Sequence, residues 1–233
     1  MSFSQWIQQL NFNMVLSEIV VVAAALLCIT FHETCHGLVA YWLGDPTAKN
    51  AGRLTLNPLR HVDMIGLIMI AIFRFGWAKP VPVDMRRFKN PKRGMAITAL
   101  AGPASNVVLA FVALIFRGIF LVLANQVQSS IAAELLNWVT EFFEATAIIS
   151  TGLAIFNLIP ISPLDGSKVL FAFLPNQAYE KLMRHERYGM LLLMVILFTG
   201  VLDTPLIYAR TALLNGMNAL ALWPARWLLM WMG

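Results

Sequence analysis

The chain has 233 residues, 59% of them hydrophobic and only 12% charged, with a formal net charge of +5. Soluble domains average roughly 25% charged residues, so this composition describes an all-α polytopic membrane protein and leaves no room beside its spans for a sizeable soluble domain. At about 20 apolar residues per crossing, about four to six transmembrane helices would consume most of the chain.

The first thirteen residues carry no Lys or Arg and no small-residue cleavage site follows them, so no removable signal peptide is expected. A first span runs from about Leu16 to Leu43 and ends at the turn signal Gly44-Asp45-Pro46. Inside it lies His32-Glu33-Thr34-Cys35-His36. On a helix this spacing puts two imidazoles one turn apart on one face, where they can share a zinc ion. Glu33 is then placed to take a proton from water on that ion. Ionisable residues at membrane depth are costly and mark function. Cys28 and Cys35 are separated by roughly 10 Å along the same helix, too far for a disulfide, and read as packing residues.

Residues 44–61 are polar, and Ala51-Gly52-Arg53-Leu54-Thr55-Leu56 reads as a short strand. Val62 to Trp77 is apolar but short and holds Arg74, so it either spans or dips in and returns. Pro80 and Pro82 forbid a regular helix over 78–83, and residues 84–93 are strongly basic. A second span covers Met95 to Ala124 and contains Ala101-Gly102-Pro103-Ala104-Ser105-Asn106. The predicted loop 125–144 carries Glu134, Glu141 and Glu144 and no Lys or Arg. A third span begins near Ala145 and is broken at Pro160, Pro163 and Gly166, which a membrane protein tolerates only where protein or a water-filled cavity covers the backbone. Tyr188 to Leu202 spans again, and the Trp-rich stretch Ala219 to Met232 is a last span or an interfacial helix. Basic loops at 78–94 and 175–188 belong on the cytoplasmic side and 125–144 outside. Residues 44–61 are also net basic, which favours a non-crossing hairpin after the first span and an N-terminus outside. Nothing in the basic excess points to nucleic acid.

Catalytic zinc usually takes three protein ligands and leaves a position for water. His185 sits among Arg184, Glu186 and Arg187 and reads as solvated, while His61 reads as a structural hydrogen-bonding residue. No glutamate lies between Glu33 and Glu134, and Val39 and Trp42 stand where a metzincin needs glycine and histidine. Asp165 is the only acid between Ala145 and Phe173 and follows a helix break that can turn it inward. Alone it reads equally well as the aspartate of a Pro-Leu-Asp-Gly turn. Beside two histidines lacking a third ligand, it becomes the favoured donor.

These motifs together resemble the site-2 protease family of intramembrane zinc metalloproteases. Members carry H-E-x-x-H on one spanning helix and an aspartate from an N-x-x-P-x-x-x-L-D-G-like motif on another, here His32–His36 and Asn157–Gly166. Residues 52–61, 76–83 and 101–106 match as well, so the resemblance covers most of residues 30 to 170 in order. It implies zinc, one ion per chain, on His32, His36 and Asp165, with Glu33 as general acid/base. Asn157 would hold the substrate backbone or the developing oxyanion, and Asn106 would serve helix packing near the site. Residues 48–83 would form a β-rich re-entrant hairpin that pairs with an unwound substrate segment. Ser162 and Asp84 depart from the usual proline and asparagine without removing a catalytic group.

The resemblance further implies a single catalytic domain over residues 1–233. Its core would cover about 16–174, membrane helices would follow over about 188–232, and no PDZ or CBS domain is expected. The substrate would be a transmembrane protein cleaved within or near its span, in the plasma-membrane bilayer of a prokaryote. An integral-membrane zinc protease of another type would want a glutamate ligand on a later helix, and the later spans offer none. A metal transporter or zinc-binding scaffold is the non-enzyme alternative, but it has no need of Glu33 and would want further acid or histidine clusters along a path.

Overall fold

The computed structural model describes residues 12–63, 66, 78–184 and 186–232. Three helices form its centre: α1 (Phe12–Trp42), and, after the short α2 (Thr47–Asn50), α3 (Pro91–Gln126) and α4 (Ser130–Asn157). These three are long and apolar enough to cross a membrane. They bury small residues against one another, among them Ala24, Cys28, Ala110, Ala113, Ala147 and Ala154, and turn Ile19, Val22, Val108 and Phe116 outward. Lipid is as apolar as leucine, so close backbone approach through small side chains is what joins helices there.

α3 and α4 form a hairpin through a turn at residues 127–129. The expected acidic loop over 125–144 is therefore largely helix. The stretch is rich in Ala, Leu and Glu, which favour helix, and Glu141 and Glu144 find partners on neighbouring helices. The Ser17 hydroxyl donates to Glu141, and Arg117 lies 3.3 Å from Glu144.

α1 runs antiparallel to α3, since His32 meets Asn106 while His36 meets Thr98. Beyond the ends of these helices, Asp45 accepts the Asp84 N–H at 2.7 Å. The connection from α1 to α3 thus begins and ends on one side of the bundle. Most of the Val62–Trp77 segment, for which crossing and dipping were both open, lies outside the described residues.

No strand occurs among the described residues, so the expected β-hairpin over 48–83 is not supported. Ala51 and Gly52 instead turn the chain back on α2: Gly52 has φ +64° and the Arg53 N–H donates to Ala48 O at 2.9 Å. Thr55 O accepts from the Thr34 hydroxyl at 2.9 Å and faces His61 Nε2 at 2.9 Å. Side chains take the backbone groups that a partner strand would need.

α4 ends at Asn157, and the chain turns through 158–164 before α5 (Asp165–Phe171). The helix break expected from Pro160, Pro163 and Gly166 is present. Beyond it lie α6 (Asn176–Arg184), α7 (Glu186–Phe198), α8 (Asp203–Ala221) and α9 (Trp223–Met232). α7 and the α8–α9 unit are bent by 88° at the break between them and make at most one further crossing. α9 has 10 residues, about 15 Å at 1.5 Å per residue, too short to cross alone. By length and composition the described residues supply three spans, or four with the bent pair.

Glycine matters most at residue 166, where a Cβ would lie 2.2 Å from Leu158 O. That contact is with backbone and cannot rotate away. Gly166→Ala is expected to lower stability by about 1–3 kcal/mol, the usual cost of overpacking, read as a lower thermal midpoint in detergent. An unchanged midpoint would show that the 158–164 turn can shift freely.

Candidate metal centre and active site

α1 supplies His32 and His36 one turn apart, and the break after α4 brings Asp165 against them at the start of α5. His32 Nε2 and His36 Nε2 are 2.9 Å apart, and each lies 3.2 Å from Asp165 Oδ2. All three residues are buried, with at most 8% of their surface exposed. Three lone-pair-bearing atoms this close repel one another unless something positive lies between them. Donors around a tetrahedral zinc with bonds of about 2.0–2.1 Å are separated by roughly 3.3 Å, so the observed triangle fits such an ion. Among the described residues this is the one cluster of at least three His, Cys, Asp or Glu donors with metal-binding spacing.

The surroundings fix the tautomers. His36 Nδ1 lies 2.7 Å from Thr98 O, so Nδ1 carries the proton and Nε2 keeps its lone pair for the metal. Asn106 is fully buried and its carboxamide lies 3.1 Å from His32 Nδ1. Its nitrogen faces that atom while its oxygen has no partner. Amide oxygen and nitrogen are assigned from the network, and a metal on Nε2 would call for the amide turned over, so that its unpartnered oxygen accepts Nδ1–H. In that orientation Asn106 would hold the His32 ring with Nε2 inward, beside the helix packing expected of it from the sequence. Gly102 makes room for both rings, since a Cβ there would lie 2.4 Å from His36 Nε2 and 2.5 Å from His32 Nε2.

Glu33 borders two cavities that share His32 of the triad. One, of about 310 Å³, is mainly apolar and includes Leu26, Ile29, Leu153, Phe156, Met190 and Leu193 in its lining. The other, of about 270 Å³, is polar and includes Thr98, Asp165 and Lys168 in its lining. His32, Glu33, Asn157 and Pro163 line both. The Asn157 side chain donates one amide N–H to Leu153 O at 3.0 Å. Glu33 Oε2 accepts the Val81 N–H at 2.9 Å, which fixes one carboxylate oxygen.

The remaining candidates fall away from the donor triad. His61 is buried and directs Nε2 to Thr55 O, as a structural histidine does. Asp63 accepts the Gly66 N–H at 2.8 Å. Cys28 points at Thr146 O, and Cys35 is a half-buried free thiol. His185 lies outside the described residues. Asp84, which departs from the motif's asparagine, caps the turn Met85–Arg87 by accepting the Arg86 N–H, a task either residue performs. The Arg86 side chain beside it holds its carboxyl below the usual carboxylate range.

The model of Peptidase family M50 matches residues 117–201, the stretch holding Asn157 and Asp165. A Bacillus subtilis protein described as a candidate zinc metalloprotease, YwhC, is 38% identical over 179 residues, covering 76% of this chain and 80% of its own. Rip2 of Mycolicibacterium smegmatis, described in the same way, is 32% identical over 189 residues, covering 79% and 69%. MJ0611 of Methanocaldococcus jannaschii, again so described, is 34% identical over 142 residues, covering 60% and 63%. No solved structure matches the chain. Fold and relatives together define an integral-membrane zinc metalloprotease. The chain belongs to Peptidase family M50, the site-2 protease family.

Asn106→Ala is expected to weaken zinc binding about 10- to 100-fold, the usual cost of losing a ligand's hydrogen-bond partner. Competition with a chelator measures it. Wild-type zinc affinity would return Asn106 to a packing role.

Proposed function

We propose that His32, His36 and Asp165 hold the zinc ion, that Glu33 is the general acid/base, and that the substrate is a membrane protein cleaved within or near its transmembrane segment. The observation that carries this reading is the triangle of donor atoms with Glu33 beside it, at the meeting of an apolar and a polar cavity. When bound, zinc supplies Lewis acidity, bringing the pKa of water toward about 7 and polarising a carbonyl. Glu33 takes the proton of the attacking water and returns it to the departing amine nitrogen. The second amide N–H of Asn157 is left to meet negative charge on the carbonyl oxygen, a contribution often worth about 3 kcal/mol.

The two cavities suit two reactants. The apolar one, walled by α1, α4 and α7, fits side chains from a membrane-spanning segment. The polar one beside Lys168 fits water. A helical carbonyl is already hydrogen-bonded and shielded, so the substrate must unwind to reach the site. We place the unwound segment beside residues 52–56, against the exposed side chain of Leu56.

The side of the bundle from which α1 leaves and α3 enters carries the basic residues 84–93, so we assign it to the cytoplasm. The N-terminus of α1 is then outside. With relatives in bacteria and an archaeon, the membrane is assigned as the plasma membrane of a prokaryote.

Glu33→Gln is expected to keep zinc and lose cleavage of a membrane-spanning reporter, because a base is removed and no ligand is. Elemental analysis and gel-based cleavage read the two quantities, and near-wild-type activity would sink the assignment. Asp165→Ala is expected to lose zinc, whereas Asp63→Ala and Asp203→Ala retain it. Full zinc content together with normal cleavage in Asp165→Ala would place the third ligand elsewhere.

A further inference from the structure

The sequence motifs leave one buried cation without a purpose. Arg53 is 7% exposed and lies outside the proposed chemistry. Its guanidinium reaches across to another segment and donates to two consecutive carbonyls, Lys79 O at 2.6 Å and Pro80 O at 3.3 Å. The next residue is Val81, whose N–H donates to Glu33 at 2.9 Å. Pro80 and Pro82 have no N–H of their own, so within Pro-Val-Pro the donor on Glu33 is the only backbone donor the sequence permits.

The segment carrying Val81 is pinned at further points. The Lys79 N–H donates to His61 O at 2.9 Å. His61 Nε2 in turn meets Thr55 O, which also accepts from Thr34, the neighbour of Glu33 on α1. At the far end, fully buried Asp45 accepts the Asp84 N–H. Gly37, one turn beyond Glu33, lets this layer lie flat on α1: a Cβ there would sit 2.7 Å from Leu54 Cδ2 and 3.1 Å from Val81 Cγ1. Residues 79–84 thus form a strap across α1, held by a buried cation at one end and a buried acid at the other.

We propose that Arg53 is a positioning residue for Glu33, acting through this strap. Its two carbonyl bonds set the height and direction of the Val81 N–H. That N–H fixes Glu33 Oε2 and leaves Oε1 to take the proton. A planar fork suits two adjacent carbonyl oxygens in a way that a single ammonium does not. The strap also borders the polar cavity through Pro80, Val81 and Val83, so its placement shapes one wall of the site.

The proposal rests on Glu33 as the base, and the test separates the two. Full-length protein in liposomes is assayed with a membrane-spanning reporter for kcat, KM and zinc content. Arg53→Ala is expected to lower kcat about 10- to 100-fold, the scale of a misplaced catalytic group, with KM within about twofold and zinc content unchanged. Arg53→Lys should recover only part of the loss. Val81→Pro removes the donor and should match Arg53→Ala, and the double variant should be no worse than either single, because both break one connection. Multiplying losses in the double variant, wild-type kcat in Val81→Pro, or a loss in Arg53→Ala that tracks zinc content would overturn the proposal. If Val81→Pro fails to fold, the Arg53 pair decides alone: a kcat loss at full zinc supports positioning, and zinc loss or wild-type kcat refutes it. Glu33→Gln is run beside them, and cleavage by that variant would remove the base assignment itself rather than the strap.

Discussion

Three electron-rich atoms from two distant parts of the chain face one another inside an apolar bundle, and the rest of the structure is arranged around keeping them there. His32 Nε2, His36 Nε2 and Asp165 Oδ2 sit within 3.2 Å of each other. In a low dielectric such an arrangement is costly without a cation. Each feature nearby restrains one member of the set. Thr98 O and Asn106 fix the two rings from behind, Gly102 clears the space beside them, and the broken end of α4 turns the chain so that Asp165 arrives from the other side. The break is costly in a membrane, since it frees backbone groups that lipid cannot satisfy. Here Ile161 N–H meets Ile159 O and Leu164 N–H meets Ile161 O within the turn itself, and Gly189 of α7 lies against Ser162.

The packing of α1, α3 and α4 follows from the same requirement. Rings as large as imidazole must reach between helices whose axes remain close enough to hold them. Small residues elsewhere along the contacts permit that, with Ala and Ser where a soluble core would place Leu and Ile. Hydroxyls do part of the joining: Ser150 donates to Asn106 O at 2.9 Å, tying α4 to the residue that orients His32. The metal site is therefore continuous with the helix interface rather than set into it.

Much of this was legible in the sequence, for reasons that differ by element. The spans announced themselves through hydropathy, and the histidine pair through a spacing that only a helix turns into shared geometry. Asp165 emerged because so few acids stand at membrane depth. The strand over 51–56 misled, because β-like composition says nothing of side chains such as Thr34 and His61 taking the backbone groups first. The loop over 125–144 misled because its glutamates signal water only when unpartnered, and Arg117 and Ser17 lie far away in sequence. Thr98 was invisible for a deeper reason: its contribution is a backbone carbonyl, which every residue has. Asn106 and Gly102 were visible as a motif, but their duties depend on which helix lies opposite. Arg53 belonged to a recognised motif too, and its role appears only once residues 79–81 are folded against it.

Charge balance explains why such a centre is compatible with its surroundings. A carboxylate such as Asp165 among the donors offsets part of a divalent cation's charge, which lowers the cost of holding that ion where an uncompensated charge would be most costly. The cation at the periphery fits the same logic. Lys168 Nζ stands 4.0 Å from Asp165 Oδ1, on the polar cavity rather than the apolar one. Its charge can reach water there and does not need a partner inside the bundle. The division into an apolar and a polar cavity is thus electrostatic as well as steric, and Glu33 lies at the boundary, lining both.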